Sequence, residues 1–529
     1  MYLKLFSYSE LCFSLDSSNE EAMNRMDELE ALSSSAQEAQ AHFKKWLAEF
    51  SEHELERVAG ADAYLAQHAF YLRELREQAQ HVLSEEAEAI LGKLQQSGSK
   101  AWEKLYMRTV STLRIEAEWG GESRSLSLSD IRGLAYDPDP EVRRAAYEAE
   151  QEACRTIAEQ SAACLNALCG EAAAIYERRG YSSPLHKVLS VSRMDQKTLD
   201  VMMRTIQESL PMFRSYYKKK AELLGYPGKL PFHEVYAPIS GEAVEAIAYE
   251  KAAEIIEAGF RSFHSELGDF ARKAFRQRWI DAEPRSGKGA FGMCVDIFPI
   301  EESRIITSFT GHSVDVSILA HELGHAYHSS RLTGQTMVNT NYPIPIAETA
   351  SIFCETLINE EMLRTSTSGE AVALLERSLS DAAYYIVDFY ARYLFETRLY
   401  EARKSGALSV EAINELMKDA MDAAYGDSVV PGSIHPYQWI SKPGYYMAGN
   451  EYLNFPYSFG LLFSKGLFAR YKKQGEAFVG QYQDFLSATS THSVAEAARL
   501  MNIDVHSSEF WQDALRLIAG EIERFSELS

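Results

Sequence analysis

The chain has 529 residues, of which 46% are apolar, and carries a formal net charge of −23 with a pI near 5.1. That length and apolar content support a substantial core. An acidic balance of this size argues against nucleic acid as the main partner, because phosphate binding needs a basic face. The six cysteines, at 12, 154, 164, 169, 294 and 354, form no CxxC pair and are too sparse for a disulfide scaffold, so buried reduced thiols are expected.

The opening MYLKLFSYSELCFSLDSSNEE has no basic n-region and no clean apolar stretch, so no signal peptide is read. No apolar run reaches the ~18–20 residues a membrane helix needs. A cytoplasmic protein without membrane contact is the expectation. Residues 19–96 then show helical periodicity in stretches rich in Glu, Ala and Leu, with a break near Gly98. Helices are expected again over 127–176, where Ser127 or Ser129 can cap one and Pro138/Pro140 restart another. They continue over 196–223. Gly225–Gly228 marks a loop, Pro231 to Pro238 reads as extended, and 241–277 is helical. Residues 281–311 differ: they contain glycines and β-favouring runs at Phe291–Ile300 and Arg304–Phe309, which predict two short strands. The rest is helical apart from loops near 333–345 and 426–445. The class is therefore mainly α with one small sheet just before the segment that carries the chemistry.

That segment is LAHELGHAYH, residues 319–328. On a helix predicted over about 314–332, His321 and His325 lie on one face a turn apart, so both imidazoles can reach one ion. Glu322 can reach a water on the open side of that ion. This is the HExxH arrangement of zinc hydrolases. Ser313 can cap the helix start, Asp315 suits its positive end and Gly334 its stop. Gly324 costs roughly 1 kcal/mol in mid-helix, a cost that makes sense if another backbone passes close by.

A catalytic zinc usually takes three protein ligands and leaves one position for water. The continuation His325-Ala-Tyr-His328-Ser-Ser-Arg331 lacks the glycine and final histidine of HExxHxxGxxH, so the third ligand must come from elsewhere. The segment PIPIAETASIFCETLINE, 343–360, offers Glu348 just after a helix start at Pro345. Twenty-two residues separate it from His325, enough for a loop and an antiparallel return. Ser351 and Glu355 share its face and could orient a ligand. His328 reads as a packing residue. No cysteine neighbours the motif, which argues against a purely structural zinc. The chemistry expected is hydrolysis, with one Zn2+ per chain and Glu322 as general base.

LAHELGHAYH followed by AETASIFCE resembles the oligoendopeptidase F/thimet oligopeptidase family of zinc peptidases. GKGAFGM and NFPYSFGLLFSKGLFARY (454–471) are similar to its oligoendopeptidase F branch. The resemblance runs from about residue 125 onward and more weakly over the N-terminal helices. It implies two helical lobes around a deep channel, with a lobe at 1–120 and a catalytic domain at 121–529. It implies His321, His325 and Glu348 as ligands, Glu322 as base, and short unfolded peptides as substrates. The strand through Phe291, Gly292 and Met293 would pair with the substrate backbone. The chain starts later than is usual in that branch, which fits either a short first lobe or a truncated reading frame.

One stretch departs from the family. In SKPGYYMAGNEYLNFPYSFG (441–460), Gly444 stands where a histidine is usual and Leu453 where a tyrosine is usual. Tyr445, Tyr446, Tyr452 or Tyr457, or His435 nearby, could supply a donor to the oxyanion instead. Losing such a donor typically costs on the order of 10²–10³ in rate. Three readings follow: an endopeptidase of short peptides, a weakened or inactive peptide-binding homologue, and a peptidase acting at a chain end. The aromatics from Tyr384 to Phe395 read as core between helices.

Overall fold

The computed structural model describes residues 1–529 except 240–245 and 290–291, and except the side chains of 34–38. It is overwhelmingly helical, as its sequence periodicity demands. The described residues form two compact units, each assembled from separated stretches of chain. The first takes Met1–Val82, Ala243–Glu370 and Phe459–Leu515; the second takes Leu83–Glu242, Ala371–Ser458 and Arg516–Ser529. No described helix is long and apolar enough to cross a membrane.

In the first unit, a helix at Tyr2–Leu15 precedes the long Glu20–Ala48 helix, and neither its start nor its length was read from the sequence. The shorter helices Glu52–Ala61, Ala63–Gln67 and Ala69–Ala79 follow, with Leu47, Leu55 and Leu75 forming a small core among them. The expected helical block at 241–277 resolves into Tyr249–Phe263 and Ser265–Arg276; its first residues lie outside the described ones.

The small sheet has three strands rather than two. Met293–Ile297 pairs antiparallel with Glu302–Ile306, and the short Ile280–Asp281 pairs parallel with the other edge of Glu302–Ile306. The first strand is shorter than expected because Phe298–Ile300 turns as a 3-10 helix, closed by Glu301 in the left-handed region. The second begins two residues earlier than expected and ends at Ile306.

The second unit contains a sheet the sequence reading missed. Strands Ile115–Trp119 and Glu122–Leu126 form a hairpin joined by Gly120-Gly121. Both glycines have positive φ, 62° and 79°, which a tight two-residue hairpin turn requires. The Gly-Gly pair was the available signal. Ser127 caps the next helix by accepting from the Asp130 amide, and Pro140 occupies the first position of the helix that ends at Thr156. Between Pro231 and Pro238 the expected extended chain instead makes a 3-10 turn at Phe232–Glu234. The Tyr384–Phe395 aromatics lie on a helix that passes through one π-turn, Tyr384–Asp388, with Phe389, Tyr390 and Phe395 buried. All six cysteines are unpaired; Cys154, Cys164, Cys169 and Cys354 are buried, and Cys12 and Cys294 are partly exposed.

Candidate metal centre

Two helices of the first unit build the centre. The motif helix spans Ser313–Ser330. Its cap is His312 rather than the expected Ser313, because the Asp315 carboxylate accepts from the Thr310 and His312 amides at 2.7 and 3.1 Å and fixes the entry there. Arg331 closes the C-terminal end through bonds to the Tyr327 and His328 carbonyls, so the stop precedes Gly334. Val316, Leu319, Ala320 and Leu323 are buried on its inner face, and Tyr327 meets Phe270 edge-to-face at 5.5 Å.

The partner helix spans Ile344–Thr365, with Pro345 in its first turn. Its Phe353 packs among Phe263, Phe478 and Tyr482, the last at 4.7 Å between ring centres. The two helices run antiparallel, as three polar rungs show. Ser317 Oγ donates to Asn359 at 2.8 Å, His321 meets Glu355 at 3.4 Å, and His325 meets Glu348 at 3.6 Å.

Gly324 sits where they touch. A Cβ there would come 2.6 Å from the Ser351 Cα and 2.7 Å from the Ala350 carbonyl oxygen. The mid-helix glycine therefore admits the neighbouring backbone, as its local cost implied. A second glycine performs the same service from the other direction. On the Phe455–Gln474 helix, a Cβ at Gly460 would meet the Glu348 Cβ at 2.6 Å, and Ser464 Oγ donates to the Thr349 carbonyl at 2.7 Å. Sequence reasoning did not find Gly460; a glycine inside a helix was the hint.

His321 Nε2, His325 Nε2 and Glu348 Oε2 converge. The nitrogens are 3.2 Å apart, and Glu348 lies 3.3 Å from His321 and 3.6 Å from His325. Zinc bonds of about 2.0–2.1 Å in tetrahedral geometry place donors roughly 3.3–3.4 Å apart. The observed triangle thus has the dimensions of a zinc site, and its two-imidazole, one-carboxylate donor set suits that ion. Glu355 faces His321 Nδ1, which leaves Nε2 directed at the common point. The Ala347 backbone favours the charged form of His325, and Ser351 Oγ donates to Glu348 Oε2 at 3.2 Å.

Electrostatics follow the geometry. Burial opposes charge on His321, but hydrogen bonds to Glu348 and Glu355 outweigh it and raise its pKa to about 10. Burial, with His321 beside it, lowers His325 to about 4. Burial works against ionising Glu348 too, yet its contacts with both histidines hold it at about 2. Glu322 is buried, and desolvation pushes its carboxyl up to about 7.

Gly292 lies against Glu322: any side chain there would strike the Glu322 carboxylate, with Ile318 Cγ2 at 2.8 Å. Its neighbour Phe291 is outside the described residues. His328 is fully buried, bonded to Thr489 at 2.8 Å and stacked on Tyr342 at 4.1 Å.

The remaining candidates belong to the second unit. Tyr446 is buried flat against Tyr106, ring centres 3.5 Å apart. Tyr445 is buried beside Phe395, and Tyr452 is buried between Tyr393 and Tyr400. Tyr457 is partly exposed and stacks on Tyr385. His435 is buried edge-on to Tyr147.

Residues 133–517 match the sequence profile of peptidase family M3, and residues 46–115 match that of oligopeptidase F. The chain belongs to peptidase family M3. It is thereby a metalloendopeptidase of the oligoendopeptidase F type. It is 22% identical to oligopeptidase PepF of Bacillus subtilis over 99% of this chain and 78% of that protein. It is 25% identical to the plasmid-encoded oligoendopeptidase F of Lactococcus lactis subsp. cremoris, over 85% and 74%. Among solved structures, a protein from Chlamydophila abortus superposes with a TM-score of 0.88 at 21% identity, covering 100% of this chain and 88% of its own. Oligoendopeptidase-F from Enterococcus faecium superposes with a TM-score of 0.75 at 18% identity, covering 100% and 90%. These likenesses establish the M3 fold.

Proposed function

We propose that this M3 peptidase is a zinc-dependent endopeptidase that hydrolyses internal bonds of short, unfolded peptides. One observation carries the reading: three donors spaced for a single zinc, with a buried carboxyl next in sequence to the first of them. His321, His325 and Glu348 would hold the ion. When bound, zinc lowers the pKa of its water to about 7 and polarises a carbonyl. Glu322, a buried carboxyl beside the first ligand, would take the proton from the attacking water at a carboxylate oxygen and deliver it to the leaving nitrogen. Glu355 fixes the His321 tautomer, and Ser351 steadies the Glu348 carboxylate. Gly292, just before the Met293–Ile297 strand, lets that chain pass close to Glu322, and a substrate backbone would pair along the strand.

The relatives' names, oligopeptidase and oligoendopeptidase, support short peptides as substrates. The acidic surface supports neither nucleic acid nor membrane as partner, and a cytoplasmic location fits both. Gly444 and Leu453 favour a second reading, a weakened or inactive peptide binder: among the described residues a Cβ on Gly444 would meet only Leu453, at 3.6 Å, and neither of these two residues has a side-chain donor.

Incubation with a mixture of short peptides, read by mass spectrometry, separates the two. Internal cuts that vanish with a chelator and in Glu322→Gln are expected. Absence of cuts from protein holding one zinc per chain would favour the peptide binder, and cuts by Glu322→Gln would remove Glu322 as base.

A further inference from the structure

The second unit contains a cavity of about 110 Å³ whose wall is far more polar than a core requires. Arg132, Arg143, Glu150, His435, Ser441 and Lys442 contribute to it. Most of these groups are satisfied. Arg143 is paired with Glu234 at 2.6 Å and donates to the Asp137 carbonyl at 2.5 Å. Arg132 donates to the Ser441 carbonyl at 2.7 Å and lies 3.7 Å from Glu150.

Two donors are not satisfied. Lys442 is only 8% exposed, and among the described residues no carboxylate lies within 4 Å of its amine and no acceptor within hydrogen-bond distance. His435 is 1% exposed; its Nδ1 accepts from the Tyr437 amide at 3.0 Å, so in the neutral ring the proton sits on Nε2, which finds no acceptor of hydrogen-bond geometry. The ionised wall residues and their partners count three cations, Arg132, Arg143 and Lys442, against two anions, Glu150 and Glu234. A largely buried ammonium with no carboxylate paired directly to it is expensive, even with Asp388 and Glu150 attracting it from farther off. Burial indeed drives the Lys442 pKa far down, with Arg392 and Arg132 adding repulsion against the attraction of Asp388 and Glu150.

A metal ion is the competing occupant, since Glu150, Cys154 and His435 come close enough to share one. The chemistry opposes it. Coordination through His435 Nε2 would put the ring proton on Nδ1, facing the Tyr437 N–H. Lys442 and Arg132 would repel the cation.

We infer that this cavity is a binding site for a small carboxylate, held by the Lys442 ammonium and the His435 Nε2–H, with the Arg132 side flanking it. The volume fits a carboxyl group with a few attached carbons; for scale, an apolar cavity of about 150 Å³ accepts benzene. The carboxylate has two possible sources, the terminus of a peptide or a free organic acid.

The test is direct binding, independent of turnover. The zinc-loaded protein is titrated with acetate and with its neutral isostere acetamide, by calorimetry. Acetate is expected to bind and acetamide not, and Lys442→Met is expected to weaken acetate by roughly tenfold or more. A carboxylate bound only at the metal centre would ignore that substitution. Equal binding of acetamide, or unchanged acetate binding by a Lys442→Met protein that unfolds at the wild-type temperature, overturns the proposal. Should Lys442→Met fail to fold, 15N-lysine-labelled wild type decides: one amine resonance is expected to move from neutral to ammonium on adding acetate, and no such resonance overturns the site. In the Glu322→Gln background, a tripeptide with a free terminus compared with its amide assigns the source. Preference for the acid makes it a peptide terminus; acetate binding with neither tripeptide makes it a free acid.

Discussion

The helix pair of the first unit and the 435–458 region of the second both take polar side chains out of water, but they settle them differently. Around His321, His325 and Glu348, ring nitrogens and carboxylate oxygens face one another, and Glu355 and Ser351 steady the outer atoms. In the second region the Tyr445 and Tyr446 hydroxyls and His435 Nε2 are buried with no hydrogen-bond partner among the described residues. Donors that converge on one point have the arrangement a single ion would need. Donors scattered through aromatic packing mark a core in which a few unmet groups await something else.

The comparison can be attacked on either side. The largest effect is expected from Glu355→Gln, which leaves the side-chain shape but weakens the hold on His321: zinc affinity should fall by ~10–100-fold, measured by chelator competition. If affinity does not change, the outer carboxylate is incidental. Gly324→Ala drives a methyl into the Ala350–Ser351 backbone, and should cost about 1–3 kcal/mol in denaturant unfolding and loosen zinc as well.

On the second unit's side, Glu396 is buried, and burial, with the Glu451 charge, raises its carboxyl to about 8 despite the Tyr452 amide it accepts. A raised acid binds its proton more tightly when folded. Its contribution is therefore complete below the ordinary carboxylate pKa and is lost as pH rises through about 8. Thermal unfolding across that window should show a decline that Glu396→Gln flattens, on the order of a few kcal/mol at most. The smallest change is expected from Gly444→His. The position has ordinary backbone angles and open space apart from Leu453, so stability should hold within about 0.5 kcal/mol. Peptide turnover should rise by less than the ~10²–10³ an oxyanion donor can supply.

Much of the candidate centre's geometry was legible because it rests on short-range rules. The spacing of His321 and His325 follows from helical pitch, and Pro345 announces the helix that carries Glu348. Gly324 signalled a close neighbour through its own local cost. What escaped depends on contacts remote in sequence. Gly460 is 112 positions from Glu348, and nothing nearby says what it touches. The cavity at Lys442 draws its wall from segments beginning at Ile131, Phe232 and His435, which no periodicity connects. Tyr446 offered a phenol suited to catalysis, and only its stacking on Tyr106 reveals a core side chain. The Gly120-Gly121 hairpin was readable and was passed over because helices surround it.

Gly324 and Gly460 press on neighbouring turns of one helix from two sides, and neither has a reactive atom. In a library of every single substitution, these two positions should therefore be as intolerant as His321, and a survey of lost activity alone would mistake them for part of the chemistry. Scoring the same library for folded protein would tell them apart: the histidine variants would remain abundant, and the glycine variants would be depleted from the soluble pool, most of all those with large side chains.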